Sequence, residues 1–284
     1  MGDWVKSARR NVEVGDDGAL VEVVGSWVLE KHSYLCRYVD ASRGARQKYL
    51  GPGKPGATFV DLFCGFGRAK IRDTTQYVDG SPLAAWKASA ERSAPFTRVY
   101  IADIDQEKRA ACATRLDAAE APFAELEGDA LSAAAAYVAA VDPYGLHFAF
   151  LDPHSLGSLD FRIIEKLAAL RRIDMLIHVS AMDMQRNLPQ QLTDEEASQF
   201  DAFAPGWRRA VDTTGTIANT RRLLREYWEG LVRGLGMQPF SDQRTIKSTG
   251  GQRLYWLMLA SREPLAQELW RKIGRVDRQG ELGL

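Results

Sequence analysis

Acidic residues and glycines follow four short apolar runs of the sequence that are typical of β-strands. If these strands form one parallel sheet, their carboxyl ends meet at one edge, which is where doubly wound sheets bind ligands. The four turns would then face one site, suited to a ligand with hydroxyl or amino groups. The residues are Asp61, Gly65 and Gly67 after the first run, Asp103 and Asp105 after the second, Asp129 after the third, and Asp152 after the fourth.

The first turn reads Asp61-Leu62-Phe63-Cys64-Gly65-Phe66-Gly67. Its two glycines let the backbone come close to a ligand, and Asp61 is placed to meet a cationic or amino group. A tight turn from strand to helix, without any ligand, explains the glycines equally well. We predict that Asp61, Phe63, Gly65 and Gly67 bind a cofactor.

The same turn disfavours a nicotinamide dinucleotide as that cofactor. The dinucleotide fingerprint needs a small residue three positions after its second glycine, and Lys70 stands there. Residues 68–80 also form a long polar stretch instead of the immediate helix that the fingerprint requires.

The second and third turns carry acids that suit a ribose and an adenine ring. Asp103 is placed to accept hydrogen bonds from ribose hydroxyl groups, whereas Asp105 is explained better as the cap of the next helix. Asp129 and the N–H group beside it are placed to contact adenine, although a helix cap explains this residue equally well. Only the ordered set of all four turns favours a methyltransferase over these structural explanations.

The fourth turn, Asp152-Pro153-His154-Ser155, is similar to a tetrapeptide of enzymes that methylate amino groups. In those enzymes Asp, Asn or Ser precedes two prolines and an aromatic residue, and its oxygen accepts a hydrogen bond from the target amino group. This contact turns the nitrogen lone pair toward the methyl group, so that positioning and charge supply most of the catalysis. We predict Asp152, Pro153 and His154 as catalytic residues. His154 stacks on a base, moves a proton, or is an ordinary surface residue.

Apolar runs alternate with helical segments, which predicts a parallel sheet covered by helices on both faces. The predicted strands span residues 58–63, 98–102, 124–126, 146–151 and 173–179. Ser81 as cap and Pro82 as first helical residue begin a helix to Arg92, and another helix spans residues 161–170.

The pattern changes after the fifth strand. Thr193-Asp194-Glu195-Glu196 has the form of a capping box, and residues 216–235 are predicted to form a long helix. Late strands near 238–246 and 254–260, joined by residues 247–251, predict an antiparallel hairpin at the sheet edge. The whole order is typical of class I methyltransferases. We therefore predict a doubly wound, mostly parallel, Rossmann-like α/β domain over residues 58–284, preceded by a helical, partly basic extension over residues 1–57.

The composition is that of a globular protein with balanced charge. The 284 residues are 45% hydrophobic, and 37 Lys and Arg balance 37 Asp and Glu, which argues against a protein that coats nucleic acid through many phosphate contacts. Cys36, Cys64 and Cys112 form no CxxC pair and are predicted to be reduced structural thiols, so no metal is expected. Without a secretory apolar region or an 18-residue apolar segment, we predict a cytoplasmic protein that does not contact membranes.

The order of the motifs resembles the three-Cys-motif partner proteins, a methyltransferase-like family named for an encoded neighbour similar to radical S-adenosylmethionine enzymes. The resemblance implies the class I methyltransferase fold, S-adenosylmethionine as the cofactor, and a protein partner that resembles those radical enzymes. The matching segments are Lys31-His32-Ser33-Tyr34-Leu35-Cys36-Arg37-Tyr38, residues 59–67, Gly80-Ser81-Pro82-Leu83, Asp103-Ile104-Asp105, Phe150-Leu151-Asp152-Pro153 and Leu254-Tyr255-Trp256-Leu257.

Two positions depart from the family pattern. The family's usual Asp-Pro-aromatic-Gly is replaced by a segment that continues with His154 and Ser155, and its glycine turn here contains Cys64 beside Phe63. The first departure alters the acceptor pocket, so the chain either uses another substrate or has lost activity. The alternative to an enzyme is thus a catalytically degenerate partner protein that acts in a complex.

Basic residues are concentrated in residues 37–72, with eight Lys and Arg against two acids, whereas residues 101–160 hold three bases and eleven acids. Because the basic stretch lies beside the predicted cofactor turn, we predict that it guides a nucleic-acid backbone to the site; a solvated face is the alternative. Its members are Arg37, Arg43, Arg46, Lys48, Lys54, Arg68, Lys70 and Arg72.

The predicted activity is S-adenosylmethionine-dependent methylation of a base nitrogen in a nucleic acid, with Asp152 orienting the acceptor. The sequence leaves open whether the acceptor is DNA, RNA, a small molecule or a protein. A nuclease or hydrolase would need a converging cluster of acids or of His and Cys, and four dispersed histidines do not indicate one.

Overall fold

The computed structural model describes residues 11–193, 199–240, 244–247, 251 and 253–281. The strands are β1 (Val12–Val14), β2 (Leu20–Val24), β3 (Ala57–Asp61), β4 (Arg68–Ile71), β5 (Tyr77–Asp79), β6 (Arg98–Ile101), β7 (Phe123–Glu125), β8 (Leu146–Leu151), β9 (Ile173–Ser180), β10 (Gln238–Pro239), β11 (Arg244–Lys247) and β12 (Arg253–Ser261). The helices are α1 (Trp27–Ala41), α2 (Arg43–Gln47), α3 (Ser81–Glu91), α4 (Gln106–Ala118), α5 (Ala130–Ala140), α6 (Phe161–Ala168), α7 (Ala181–Thr193), α8 (Gln199–Phe203), α9 (Trp207–Ala210), α10 (Ile217–Gly234) and α11 (Pro264–Glu281). A 3-10 helix, Leu156–Ser158, follows β8.

The larger sheet has the strand order β10-β12-β9-β8-β3-β6-β7, and β11 also pairs with β12. Strands β7, β6, β3, β8 and β9 are parallel to one another. Strand β12 runs antiparallel to β9 and places Leu257 opposite His178. A parallel doubly wound sheet that ends in such an antiparallel strand is the class I methyltransferase arrangement, which confirms the predicted fold class.

Helices cover both faces of this sheet because its central strands are apolar along their length. All five residues of β3 are buried, and so are the last five residues of β8. Strands buried on both faces are typical of parallel sheets between two helical layers. One layer of the core packs around Tyr137, Ile164, Trp207 and Trp228, and the other around Tyr38, Phe59, Phe148 and Trp270.

A second, four-stranded sheet has the order β1-β2-β4-β5. It combines the N-terminal region with the polar stretch that follows the glycine turn. Helix α1 lies in the predicted helical extension, but β1 and β2 are additional elements that were not predicted. They form a local antiparallel hairpin with Val12 opposite Glu22, and β2 also pairs with β4, which is distant in the chain. Arg115 of α4 holds this sheet in place by donating hydrogen bonds to Asp17 Oδ2 at 2.6 Å and to the Phe66 carbonyl at 2.6 Å.

Several predicted boundaries shift by a few residues. The cap of α3 is Gly80, and Ser81 is instead the first helical residue, which turns its hydroxyl group toward β3. Thr216 caps α10 as predicted. The late strand predicted over residues 238–246 is divided into β10 and β11, which both pair with β12. The predicted capping box at 193–196 and the hairpin turn at 247–251 lie mostly outside the described residues.

Candidate functional site

Two cavities adjoin at the carboxyl edge of the larger sheet. The first has a volume of about 330 Å³ and is lined by the glycine turn, the first turns of α1 and the end of β8. The second has a volume of about 260 Å³ and is lined by residues that follow β6, β7 and β8. Phe63 and His154 line both cavities, so a ligand of sufficient length can occupy the two together. We call them the turn cavity and the acidic cavity.

The glycine turn has a different requirement at each of its two glycines. Both have positive φ, 56° at Gly65 and 75° at Gly67, a region in which glycine carries no steric cost. A Cβ atom on Gly65 would meet no atom within 4 Å, whereas one on Gly67 would lie 2.9 Å from Cys112 Sγ. Gly65 therefore leaves open space in front of the turn cavity, and Gly67 allows α4 to pack behind it.

Asp61 lies beneath this turn and is fully buried. It accepts hydrogen bonds from the Ser81 hydroxyl at 2.5 Å and from the Phe63 backbone N–H at 2.9 Å. Burial raises the pKa of Asp61 to about 7, although these two hydrogen bonds oppose the shift. Ser81, which lines the turn cavity, connects Asp61 with it. Sequence reasoning treated Ser81 as a helix cap and missed this role.

The acidic cavity contains the two acids predicted to bind an adenosine. Asp103 Oδ2 accepts a hydrogen bond from the Gly65 N–H at 3.0 Å, and its Oδ1 accepts one from the Asp105 N–H at 2.9 Å. Asp103 thereby joins the glycine turn to the acidic cavity. Asp105 caps α4, accepting from the Glu107 N–H at 2.9 Å, as its structural explanation predicts.

Asp129 lines the acidic cavity and also caps α5, where it accepts a hydrogen bond from the Ser132 N–H at 2.7 Å. Both explanations of this residue are thus compatible with the geometry. Ile104, which stands between the predicted acids, lines the same cavity and is 82% exposed. An exposed isoleucine beside two acids offers an apolar face to a flat ring, and sequence reasoning had not singled it out.

Asp152 forms a three-residue cluster with Lys31 of α1 and His178 of β9. Lys31 Nζ donates a hydrogen bond to Asp152 Oδ2, and His178 Nδ1 bonds to Asp152 Oδ1. Burial would raise the pKa of Asp152, but the two partners outweigh it and hold the pKa well below its usual range. Asp152 is thus a carboxylate at neutral pH, and both of its oxygen atoms already accept a hydrogen bond.

His178 has unused hydrogen-bonding capacity. Its ring centroid lies 3.8 Å from that of Tyr255 on β12, and its buried Nε2 has no hydrogen-bond partner among the described residues. Burial lowers the pKa of His178, and the Asp152 charge opposes this shift. Sequence reasoning missed both Lys31 and His178 as site residues. The rule that the informative residues stand at strand ends would have found His178, which lies near the end of β9.

The predicted catalytic and cofactor residues therefore come together at one edge. Asp152, Pro153 and His154 line the turn cavity with Phe63, Gly65 and Gly67, while Asp103 and Asp129 line the neighbouring acidic cavity. Asp61 lies behind them and is not part of either lining. These placements agree with the predicted site, and the roles assigned to the residues stay predictions.

The predicted basic stretch does not form one surface. Arg46 is 1% exposed and donates hydrogen bonds to the Ala94 carbonyl and the Ser42 hydroxyl, so it supports the fold. Arg68 forms ion pairs with Asp16 and Asp79, which lie outside the counted segment. Lys48 lines a cavity at the opposite, amino edge of the sheet. A nucleic-acid partner stays a prediction, but Arg46 cannot belong to its contact surface.

Two further findings concern metal and membrane. Among the residues that the structure describes, no group of three or more His, Cys, Asp or Glu side chains is arranged to hold a metal ion. In the same part of the chain, no helix has both the length and the apolar character needed to cross a bilayer.

Comparisons with known proteins give a structural likeness at low sequence identity. No protein-family model matches the chain, and no curated protein matches it. Protein LPL1258 of Legionella pneumophila is 10% identical, with a TM-score of 0.50 over 86% of this chain and 91% of that one. At this identity the likeness shows the fold alone.

Two other solved structures are similar at lower scores. Cofactor-bound Rv0187 from MTB is 14% identical, with a TM-score of 0.45 over 85% of this chain and 82% of that one. The methyltransferase domain of bacterial CtHen1 is 10% identical, with a TM-score of 0.42 over 81% of this chain and 98% of that one. The fold assignment rests on the strand order and on the Legionella protein.

Proposed function

We propose that the chain is an S-adenosylmethionine-dependent methyltransferase whose acceptor is a nitrogen atom of a nucleic-acid base. The observation that carries this proposal is the junction of the turn cavity and the acidic cavity at Phe63 and His154. The acidic cavity offers carboxylates to an adenosine, and the turn cavity leads from the glycine turn to Asp152. A cofactor held across both would have its reactive end near Asp152.

The residues fit this cofactor. Gly65 leaves open space for a ligand at the turn, and Asp103 retains acceptor capacity for ribose hydroxyls, because each carboxylate oxygen has two lone pairs. Ile104 presents an apolar face and Asp129 an acid for the adenine ring. When bound, S-adenosylmethionine supplies an electrophilic methyl group on a sulfonium.

Asp152 is proposed to orient the acceptor. Its carboxylate is fixed by Lys31 and His178, and its remaining lone pairs can accept from an amino group of the base. Trp27 and Tyr255 line the same cavity and offer flat faces to a planar base. Orientation by a fixed carboxylate needs no reorganisation when the nitrogen lone pair attacks the methyl group, which is how such sites accelerate transfer.

The test is methyl transfer from tritiated S-adenosylmethionine to single-stranded RNA and DNA oligonucleotides that contain all four bases. We expect label in the nucleic acid with the wild type, and loss of transfer in Asp152→Ala, which removes the acceptor oxygens, with S-adenosylhomocysteine binding retained. Cofactor binding without transfer to either nucleic acid would contradict the proposed acceptor.

The second candidate is a catalytically degenerate partner protein, and one observation favours it: both oxygens of Asp152 are already engaged by Lys31 and His178. In that case a protein partner, as the family resemblance implies, would bind a surface of the domain. Asp152→Ala would then leave the biological effect intact, whereas surface substitutions would remove it.

A further inference from the structure

A third cavity opens at the amino edge of the larger sheet, on the opposite side from the candidate site. Its volume is about 300 Å³, which lies within the range of small-molecule sites. Leu146, which lines it, is the first residue of β8, whereas Asp152 follows the end of that strand. At the rise per residue of a β-strand, the distance along β8 from Leu146 to Asp152 is roughly 20 Å.

The walls of this amino-edge cavity are mostly apolar, and its floor is polar. Leu146, Leu265 and Leu269 supply the apolar walls. At the floor, Asp174 accepts hydrogen bonds from the Tyr38 hydroxyl at 2.7 Å and from the Ser261 hydroxyl at 2.5 Å. Each carboxyl oxygen still has acceptor capacity, so the floor can recognise N–H donors of a ligand.

Two cations stand at this cavity. Lys48 is exposed, and the Arg172 guanidinium lies 6.0 Å from the centroid of the Tyr49 ring and donates a hydrogen bond to the Tyr144 carbonyl at 3.2 Å. Neither cation forms an ion pair within the described part of the chain. Glu263, an exposed acid, and Asp174 also line the cavity. The Asp174 carboxyl group is engaged by Tyr38 and Ser261, and burial raises its pKa.

We infer that the amino-edge cavity binds a nucleotide, with the base between the apolar walls and the phosphate at Lys48 and Arg172. An apolar slot suits the base, the Asp174 carboxyl group suits its amino or imino groups, and the cations suit a phosphate. This inference does not depend on the proposed methyltransferase activity. The nucleotide is either free or the terminal residue of a strand, since both present the same groups.

Calorimetry with UMP, CMP, AMP and GMP tests the inference, with the matching nucleosides as a second series. Two variants address the cavity: Lys48→Glu reverses a cation, and Ala45→Trp places a large ring on a residue of the lining. Lys54→Glu is the matched control, because Lys54 is an exposed lysine near this edge outside the lining. Thermal unfolding establishes that each variant is folded.

At least one monophosphate should bind to the wild type. We expect Lys48→Glu to weaken that binding about tenfold or more, Lys54→Glu to change it less than twofold, and Ala45→Trp to abolish it. Nucleoside binding should change little in Lys48→Glu. A 5′-phosphorylated oligouridylate that binds in the same variant-dependent way identifies a strand end as the source, and binding of the monophosphates alone identifies a free nucleotide.

The inference is overturned if no monophosphate binds at millimolar concentration. It is also overturned if binding is the same in wild type, Lys48→Glu and Ala45→Trp, because the nucleotide would then bind outside this cavity. If Lys48→Glu and Lys54→Glu weaken monophosphate binding equally, the inference is overturned as well, since equal effects would indicate general electrostatic attraction.

Discussion

The Ser81 hydroxyl donates a hydrogen bond of 2.5 Å to Asp61 Oδ2, linking the first residue of α3 to the last residue of β3. This contact ties a buried acid beneath the glycine turn to a residue that lines the turn cavity. The backbone N–H of Phe63 donates to the other oxygen of Asp61. One carboxyl group therefore fixes both the start of the turn and the helix opposite it.

Asp61→Asn should change the pH dependence of stability. Asp61 ionises near 3.8 in the unfolded chain and near 7 in the fold, so between these values the native state holds a proton that the unfolded state has lost. The contribution of Asp61 to the free energy of unfolding therefore falls as pH rises from about 4 to about 7 and is constant above. Denaturant unfolding from pH 4 to 8 should show the wild type losing stability relative to Asp61→Asn. A constant difference would contradict the raised pKa.

Ser81→Ala is the companion variant. It removes a hydrogen bond that lowers the pKa of Asp61, so the pKa should rise further. The same comparison of unfolding free energies should then show the loss of stability continuing to higher pH than in the wild type. If the pH range over which stability is lost moves to lower pH in Ser81→Ala, the result would be inconsistent with the Ser81 contact.

Valine at the two glycines should have different effects. At Gly65 the added side chain enters open space in the turn cavity, so the fold should persist apart from the cost of a positive φ, about 1–3 kcal/mol. At Gly67 the side chain meets Cys112 and the helix behind it, and the loss of stability should be larger. Thermal unfolding of Gly65→Val and Gly67→Val measures the difference in stability. Equal losses of stability in the two variants would contradict the packing of Gly67 against Cys112.

The His178 imidazole should be neutral at pH 7 and carry its proton on Nδ1, because Asp152 is a hydrogen-bond acceptor. Nitrogen-15 NMR of the histidine side chains reports both properties. In Asp152→Asn the pKa of His178 should fall further, since the Asp152 charge raises it. An Nε2-protonated ring, or a pKa that rises in this variant, would show that the pair is not formed.

Arg46→Ala should destabilise the protein by about 3 kcal/mol, because it leaves buried carbonyl groups without their donor. Arg43→Ala, at an exposed position on the same short helix, should change stability by less than about 0.5 kcal/mol. Chemical denaturation of the two variants checks the contrast. Similar stabilities would mean that Arg46 is not integral to the fold.

The parallel sheet could be predicted because β3 and β8 are buried on both faces and so read as continuous apolar runs. The strand ends then located Gly65, Asp103 and Asp152 without knowledge of distant contacts. The second sheet could not be found in this way. Its strands β1, β2 and β4 have three to five residues each and mix charged with apolar residues, so none of them forms a continuous apolar run, and β2 pairs with a strand that is distant in the chain.

Side-chain pairing was the least predictable feature. Lys31, Asp152 and His178 come from three elements that are far apart in sequence, and only the packing of α1 over the sheet brings them together. Charge counts along the chain failed for the same reason. The partners of Arg68 and Lys70 are Asp16, Asp79 and Glu13, which lie outside the segment in which the basic excess was counted.

Titration calorimetry with S-adenosylhomocysteine, which binds without being consumed, tests the central claim most directly. We predict one-site binding to the wild type and no binding to Gly65→Val, whose side chain would project into the open space of the turn cavity. Thermal unfolding should show that this variant is folded. No heat of binding to the wild type at millimolar ligand, or equal binding to Gly65→Val, would contradict the claim that this edge of the sheet is a cofactor site.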